Sequence, residues 1–248
     1  MVSRVLDSLN NILNKILYSK YTINNDEDQK LKSKVLVALS GGIDSTVLLY
    51  LCKEIFNEVY AISFDYGQKH SVELKYAKEI AKLASVKDHI IVEIPHYKLL
   101  NKSPLLAHGS EMPEGIVMID NVPAANVPMR NLTFLSIMSS ITDEYGINYL
   151  AIGVHATDNP FPDCRPEFIT AMEAAINSAS AYVQKTKERI HIFAPFLGVS
   201  KIDVVKLGKE LDVPFEKTYS CYSGTEPPCG KCATCIQRKE ALEAIGYY

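Results

Sequence analysis

Apolar residues recur along this chain in two rhythms. Val2, Val5, Leu6, Leu9, Ile12, Leu13, Ile16 and Leu17 fall at helical spacing with Asn, Ser, Asp and Lys between them. That pattern predicts an amphipathic helix, packed on the main body or on a partner. The polar stretch from Asn24 to Lys34 then reads as a linker. From Lys34 onward, short apolar runs alternate with longer helical patterns. Strands are predicted over Val35–Leu39, Val59–Phe64, His89–Ile94, Tyr149–Gly153 and Ile190–Ala194. Helices are predicted over Ser45–Asn57, about Ser71–Ala84, Arg130–Tyr145, Pro166–Gln184 and Lys201–Leu211. Residues 95–128 have weak periodicity broken by prolines and read as an irregular lobe. Alternating strands and helices predict an α/β fold, a doubly wound parallel sheet of about five strands covered on both faces. In such sheets ligands sit beyond the carboxyl ends of the strands.

Composition narrows the class. The 248 residues are 47% apolar and 22% charged, ordinary for a globular protein. With 26 basic against 29 acidic side chains the formal charge is −3, so no basic excess announces a nucleic acid partner. No apolar run is long enough to span a membrane. Six cysteines without a secretory signal read as reduced thiols or metal ligands in a cytoplasmic protein.

Two short segments carry chemistry. Leu39-Ser40-Gly41-Gly42-Ile43-Asp44-Ser45-Thr46 follows the first strand and opens the first helix. Two glycines let the backbone approach an anion, and the helix start offers unpaired N–H groups and a positive dipole end. Ser40, Ser45 and Thr46 add hydroxyls, while Asp44 suits an anion site only with a divalent cation between them. The GxxxxGK[ST] and GxGxxG patterns are absent. The second segment is Cys221, Cys229, Cys232 and Cys235, spaced C-x7-C-x2-C-x2-C with Gly230 in the turn. Four thiolates satisfy one structural zinc per chain, the favoured reading ahead of an iron–sulfur cluster or disulfides.

SGGIDST resembles the SGGxDS loop of the N-type ATP pyrophosphatases, which split ATP between its α- and β-phosphates. A longer set of segments sharpens this: LSGGIDSTVLL (Leu39–Leu49), FDYGQKH (Phe64–His70), VPMRN (Val127–Asn131), GVHATD (Gly153–Asp158), FPDCRPEF (Phe161–Phe168) and TYSCYSGTEPPCGKCATC (Thr218–Cys235). In this order they resemble the 7-cyano-7-deazaguanine synthases, the QueC family. The resemblance covers roughly residues 34–248, with Met129 where the family usually has glycine and an added segment before Lys34.

The resemblance implies a ligase. ATP with Mg²⁺ would adenylate the carboxylate of 7-carboxy-7-deazaguanine, and ammonia would displace AMP to leave an amide. A second ATP would turn the amide into the nitrile preQ0, a precursor of queuosine and archaeosine. An enzyme that stops at the amide, or passes the acyl group to a macromolecular amine, is the alternative. Leu39, Ser40, Gly41, Gly42, Ile43, Asp44, Ser45 and Thr46 would bind ATP, with Asp44, Ser45, Lys201 and Arg130 as the catalytic set. Arg130, Asn131, His155, Asp158, Asp163 and Arg165 would line the substrate site, and Phe64, Tyr66 and Phe161 could stack on a ring. Cys164 is a weak candidate nucleophile, because adenylation needs none. A homodimer is implied, together with an outside source of ammonia. The chain divides into an extension over 1–33, an ATP-pyrophosphatase unit over 34–216 and a zinc-binding segment over 217–248.

Overall fold

The computed structural model describes residues 33–247, so the predicted N-terminal helix and most of its linker lie outside the described residues. In chain order the elements are β1 (Lys34–Ala38), α1 (Ile43–Ile55), β2 (Glu58–Asp65), α2 (Glu73–Leu83), β3 (His89–Glu93), β4 (Met118–Ile119) and β5 (Val122–Pro123). Then follow α3 (Arg130–Tyr145), β6 (Tyr149–Ala151), α4 (Pro166–Ala179), α5 (Ala181–Thr186), β7 (His191–Phe193), α6 (Lys201–Glu210) and α7 (Ala233–Glu243).

The main sheet is parallel throughout, in the order β3-β2-β1-β6-β7. Strand alternation divides its side chains between two layers. Val35 and Val37 of β1 pack with Val47, Leu48 and Leu51 of α1, Ile80 of α2 and Val204 of α6. Leu36, Ile62 and Leu150 face the other way, onto Leu135 and Met138 of α3 and Ile169 and Ile176 of α4. Each such aliphatic side chain contributes roughly 1.5–3 kcal/mol on burial. That two-sided covering is why the central strands read as unbroken apolar runs.

Chain order reverses at β1. Winding runs outward through β2 and β3, then returns to add β6 and β7 on the other side. The loops after β1 and β6 therefore part from each other and leave a crevice at the carboxyl edge.

One predicted helix is two. The single pattern over Pro166–Gln184 breaks at Ser180, whose backbone is extended (φ −74°, ψ 125°). Ser180 caps α5 by accepting from Val183 N, and its hydroxyl donates to Asp143 of α3. Asp143 also accepts from Tyr182 N at 2.9 Å, so a carboxylate sits on the positive end of α5. Hydrophobic periodicity carries no trace of this long-range cap. The lobe over 95–128 is largely irregular, with the short β4–β5 hairpin and a bridge from Gly115 to Cys232.

Candidate active site

The crevice opens into a cavity of about 240 Å³. The loop after β1 forms one end of it. Gly41 has φ +84°, and a Cβ there would lie 2.6 Å from the Glu73 carbonyl oxygen and 2.8 Å from Ala77 N. Only glycine lets the loop and α2 pack this closely. The loop is tied to itself: Ser45 Oγ donates to Gly42 O, Thr46 Oγ1 donates to Gly42 O at 2.8 Å, and Ser40 N donates to Ser45 Oγ. Leu39, Ser40, Gly42, Asp44 and Ser45 line the cavity. Ile43 and Thr46 are fully buried beneath it.

Ionisable groups that follow β6 and β7 converge on Asp44. Lys201, the first residue of α6, donates Nζ to Asp44 Oδ2. His155, four per cent exposed after β6, holds Nε2 3.6 Å from Asp44 Oδ1 and 3.6 Å from Asp158 Oδ2. Thr157 Oγ1 lies 2.7 Å from His155 Nδ1, and Asp158 accepts from His155 N. Burial pushes the Asp44 carboxyl up, but Lys201 and His155 outweigh it and hold it well below the usual range. Asp158 moves upward, through burial above all and the nearby Asp44 charge. Asp44 Oδ1 is buried without a hydrogen-bond partner. A buried anionic oxygen beside a helix start fits a divalent cation shared with a bound phosphate.

The other end is aromatic and basic. Arg130, at the first position of α3, lines the cavity with Tyr66, His70, Glu73 and Tyr222. Among the described residues no carboxylate forms a salt bridge with Arg130. A planar cation without a carboxylate partner suits an incoming carboxylate or phosphate. Phe64 stacks on Phe134 at 4.0 Å, and Tyr66 packs against both Phe134 and Tyr97. Burial pushes Tyr66 up to about 12 and raises Tyr222 well above the usual tyrosine range.

The remaining expected residues separate. Asn131 lines the cavity, whereas Asp163 and Arg165 do not. Asp163 Oδ2 instead accepts from Asn131 N at 2.8 Å, and its carbonyl accepts from Asn131 Nδ2 at 3.0 Å. That pair fastens the start of α3 and so fixes Arg130 beside the cavity. Arg165 is exposed and donates Nε to Asn159 O. Cys164 lines the cavity, accepts from Asn131 Nδ2, and burial drives its thiol far above the thiolate range. That is the opposite of an activated nucleophile.

Sequence reasoning did not single out His70 or Glu73, both of which line the cavity. Burial pushes the Glu73 carboxyl up to about 8, against the Gln68 hydrogen bond and the Arg130 charge. Burial and Arg130 push His70 down to about 3. His70 sits in FDYGQKH and Glu73 three residues beyond it, the only local signal either one gives.

The cysteines form a second centre. Sγ atoms of Cys221, Cys229, Cys232 and Cys235 all lie within 4.8 Å of one another. Cys229 and Cys235 Sγ are 4.0 Å apart, close to the edge of about 3.8 Å expected for four thiolates around zinc. Cys229 N and Cys232 N donate to the sulfurs of Cys221 and Cys229, as thiolate ligands require. The set can hold one metal ion with no open position. A Cβ on Gly224 (φ +71°) would meet Lys69 O at 2.3 Å, so this segment packs against FDYGQKH. Tyr219 and Tyr222, interleaved with the cysteines, reach the cavity wall.

Comparison with known proteins places the fold and the family. The family model described as queuosine biosynthesis protein QueC matches residues 34–246. A relative from Aquifex aeolicus (strain VF5), named 7-cyano-7-deazaguanine synthase, is 63% identical over 85% of this chain and 97% of its own. Another of that name from Sulfurihydrogenibium sp. (strain YO3AOP1) is 58% identical over 85% of this chain and 95% of its own. Among solved structures, NMN synthetase from Francisella tularensis shares the fold with a TM-score of 0.51 at 16% identity, covering 98% of this chain and 92% of that one. Matched along nearly its whole described length, and by relatives it covers almost end to end, the chain belongs to the QueC family.

Proposed function

We propose that this protein makes 7-cyano-7-deazaguanine from 7-carboxy-7-deazaguanine, ammonia and ATP, by way of an acyl-adenylate and an amide. One observation carries the reading: a phosphate-type loop and Arg130, without a carboxylate partner, close opposite ends of one cavity in a QueC-family chain. A carboxylate is a poor acyl donor because oxide would have to leave; adenylation replaces oxide with AMP. The loop N–H groups and Ser45 hydroxyl would hold the departing pyrophosphate, where charge accumulates. Lys201, already within reach of Asp44, would follow the phosphates. Asp44 would hold Mg²⁺, which when bound neutralises phosphate charge and favours departure of pyrophosphate. Its partnerless buried Oδ1 supports that role. Arg130 would fix the substrate carboxylate, and Asp163 would act through Asn131 by positioning it. His155 and Asp158 would steady Asp44 rather than contact the ring.

The four cysteines would bind one zinc ion that braces Tyr219 and Tyr222 against the cavity. Residues 34–216 would then hold the ATP chemistry and residues 217–248 the metal. No described helix is long and apolar enough to cross a membrane. A cytoplasmic homodimer using free small molecules fits the family. Mass spectrometry of a reaction containing the carboxylate, ATP, Mg²⁺ and ammonia tests the reading. Nitrile as the end product supports it; amide alone, or acyl transfer to protein, overturns it.

A further inference from the structure

Making the amide and then the nitrile removes all three hydrogens of ammonia as protons. In the first half, the ammonia nitrogen bonds to the acyl carbon, the C–O bond to AMP breaks, and one N–H proton leaves. In the second half, the amide oxygen bonds to the α-phosphorus of a second ATP and pyrophosphate departs as another N–H proton is lost. The C–O bond to AMP then breaks and the last N–H proton leaves, giving C≡N. A base beside the reacting nitrogen therefore serves three times, and Brønsted behaviour favours one that titrates near the working pH.

The cavity holds few groups able to do this. Asp44 is engaged by Lys201 and Asp158 by the backbone of His155. His155 is enclosed by Asp44, Asp158 and Thr157. Tyr66, Tyr222 and Cys164 hold their protons too firmly to serve as acceptors. Glu73 differs in both its surroundings and its geometry. It stands in the first turn of α2, where its own backbone packs on the phosphate loop at Gly41, and its side chain lines the cavity that Arg130 also lines. Gln68 fixes its orientation. The Gln68 amide oxygen accepts from Tyr66 N at 2.9 Å, and its Nε2 reaches Phe64 O at 3.0 Å and Glu73 Oε1 at 3.1 Å. No hydrogen bond from a described residue reaches Glu73 Oε2.

We propose that Glu73 is the base that collects the protons of ammonia in both halves of the reaction. This rests on the reading of the site as a nitrile-forming ligase. The groups facing Glu73 are Gln68 and His70 from the β2–α2 loop, Tyr66 from the end of β2, and Arg130 from α3. His70 Nε2 lies 3.5 Å from Oε1, and burial keeps this imidazole neutral, so it leaves the carboxylate unpaired. Arg130 pulls the carboxyl down and burial pushes it up, with burial prevailing.

The test compares the full-length enzyme with Glu73→Gln and Glu73→Asp. Three readouts are taken: carboxylate-dependent ATP–pyrophosphate exchange, amide and nitrile from ammonia, and hydroxamate from hydroxylamine. Hydroxylamine is a better nucleophile whose adduct loses its proton readily to water. Glu73→Gln is expected to keep exchange within about threefold, lose amide and nitrile formation by about 10²-fold or more, and retain hydroxamate formation. The wild-type rate with ammonia should rise with pH along a limb near pH 8, which Glu73→Gln lacks and Glu73→Asp shifts. Folding supplies its own control. Because the folded carboxyl titrates at about 8 instead of about 4.5, its favourable contribution is lost as pH rises through that window, so Glu73→Gln should melt no lower than wild type at pH 8. Amide formation at the wild-type rate in Glu73→Gln, or exchange lost as fully as amide, overturns the proposal. If Glu73→Gln does not fold, an unshifted pH limb in Glu73→Asp overturns it. Wild-type enzyme with no carboxylate-dependent exchange overturns the ligase reading itself, a separate outcome.

Discussion

The two ends of the cavity are built in opposite ways. At the loop end, Ser40, Gly42, Asp44 and Ser45 come from one stretch of six residues; Ser40, Gly42 and Ser45 bond to each other and Asp44 Oδ2 to Lys201, leaving Asp44 Oδ1 without a partner. At the far end, Tyr66, His70, Glu73, Arg130 and Tyr222 come from three segments far apart in sequence, and burial displaces Tyr66, His70, Glu73 and Tyr222 from their ordinary titration ranges. A triphosphate is a common ligand, and a short self-contained loop suffices to hold it. A rigid heterocycle whose carboxylate must be converted twice asks for a dry, preorganised wall. On this account, changes at the loop end abolish ATP chemistry for every substrate, while changes at the far end spare ATP binding and strike the acyl half.

Asp44→Ala should have the largest effect. We expect it to lower ATP–pyrophosphate exchange about 10³-fold, measured at saturating ATP, with the melting temperature nearly unchanged. Near-normal exchange would dissolve the contrast between the ends. Arg130→Lys keeps the charge and loses the fork. It should lower kcat/KM for the carboxylate about 10²-fold while the KM for ATP moves little, as steady-state kinetics would read. Equal losses toward both substrates would place Arg130 among the phosphates instead.

The cysteine segment touches both ends, since Tyr219 N donates to Gly41 O at 2.8 Å while Tyr222 lines the far wall. Metal analysis should find about one zinc per chain, and chelation should lower thermal stability and loosen Tyr219 and Tyr222, seen as fluorescence or hydrogen-exchange changes confined to residues 217–243. Metal-free protein with an unchanged melting curve would contradict this. The smallest effect concerns Met129, the residue before α3, which is 65% exposed and left-handed at φ 56° and ψ 26°. A non-glycine residue in that region costs about 1–2 kcal/mol, partly offset by the greater unfolded freedom of glycine. Met129→Gly should therefore stabilise the fold by up to about 1 kcal/mol in denaturant unfolding and leave kcat unchanged.

Legibility follows the same divide. The central strands β1 and β2 are readable because burial on both faces makes their runs nearly continuously apolar, whereas the edge strand β3, with no fully buried residue, is readable from its short Ile-Ile-Val run. The loop and the cysteines were readable because phosphate and metal chemistry impose close spacing on neighbouring residues. Glu73 and His70 were not, since their importance arises from packing against Arg130 and Tyr222, far away in sequence. Asp163 and Arg165 stood out as a charged pair in a proline-bounded turn, yet the turn's geometry turns Asp163 onto Asn131 N and leaves Arg165 exposed. The break at Ser180 depends on Asp143, thirty-seven residues earlier, and no local pattern encodes it. The assignment of residues 1–33 as an added helix and linker falls almost wholly outside the described residues.

In the proposed reaction the loop end cuts ATP between its α- and β-phosphates and the far end uses that cut twice. Quantifying nucleotides against nitrile in one reaction tests it most directly. AMP and pyrophosphate are expected as the nucleotide products, with about two AMP formed for every nitrile. Stoichiometric ADP and phosphate, or a single AMP per nitrile, would contradict it.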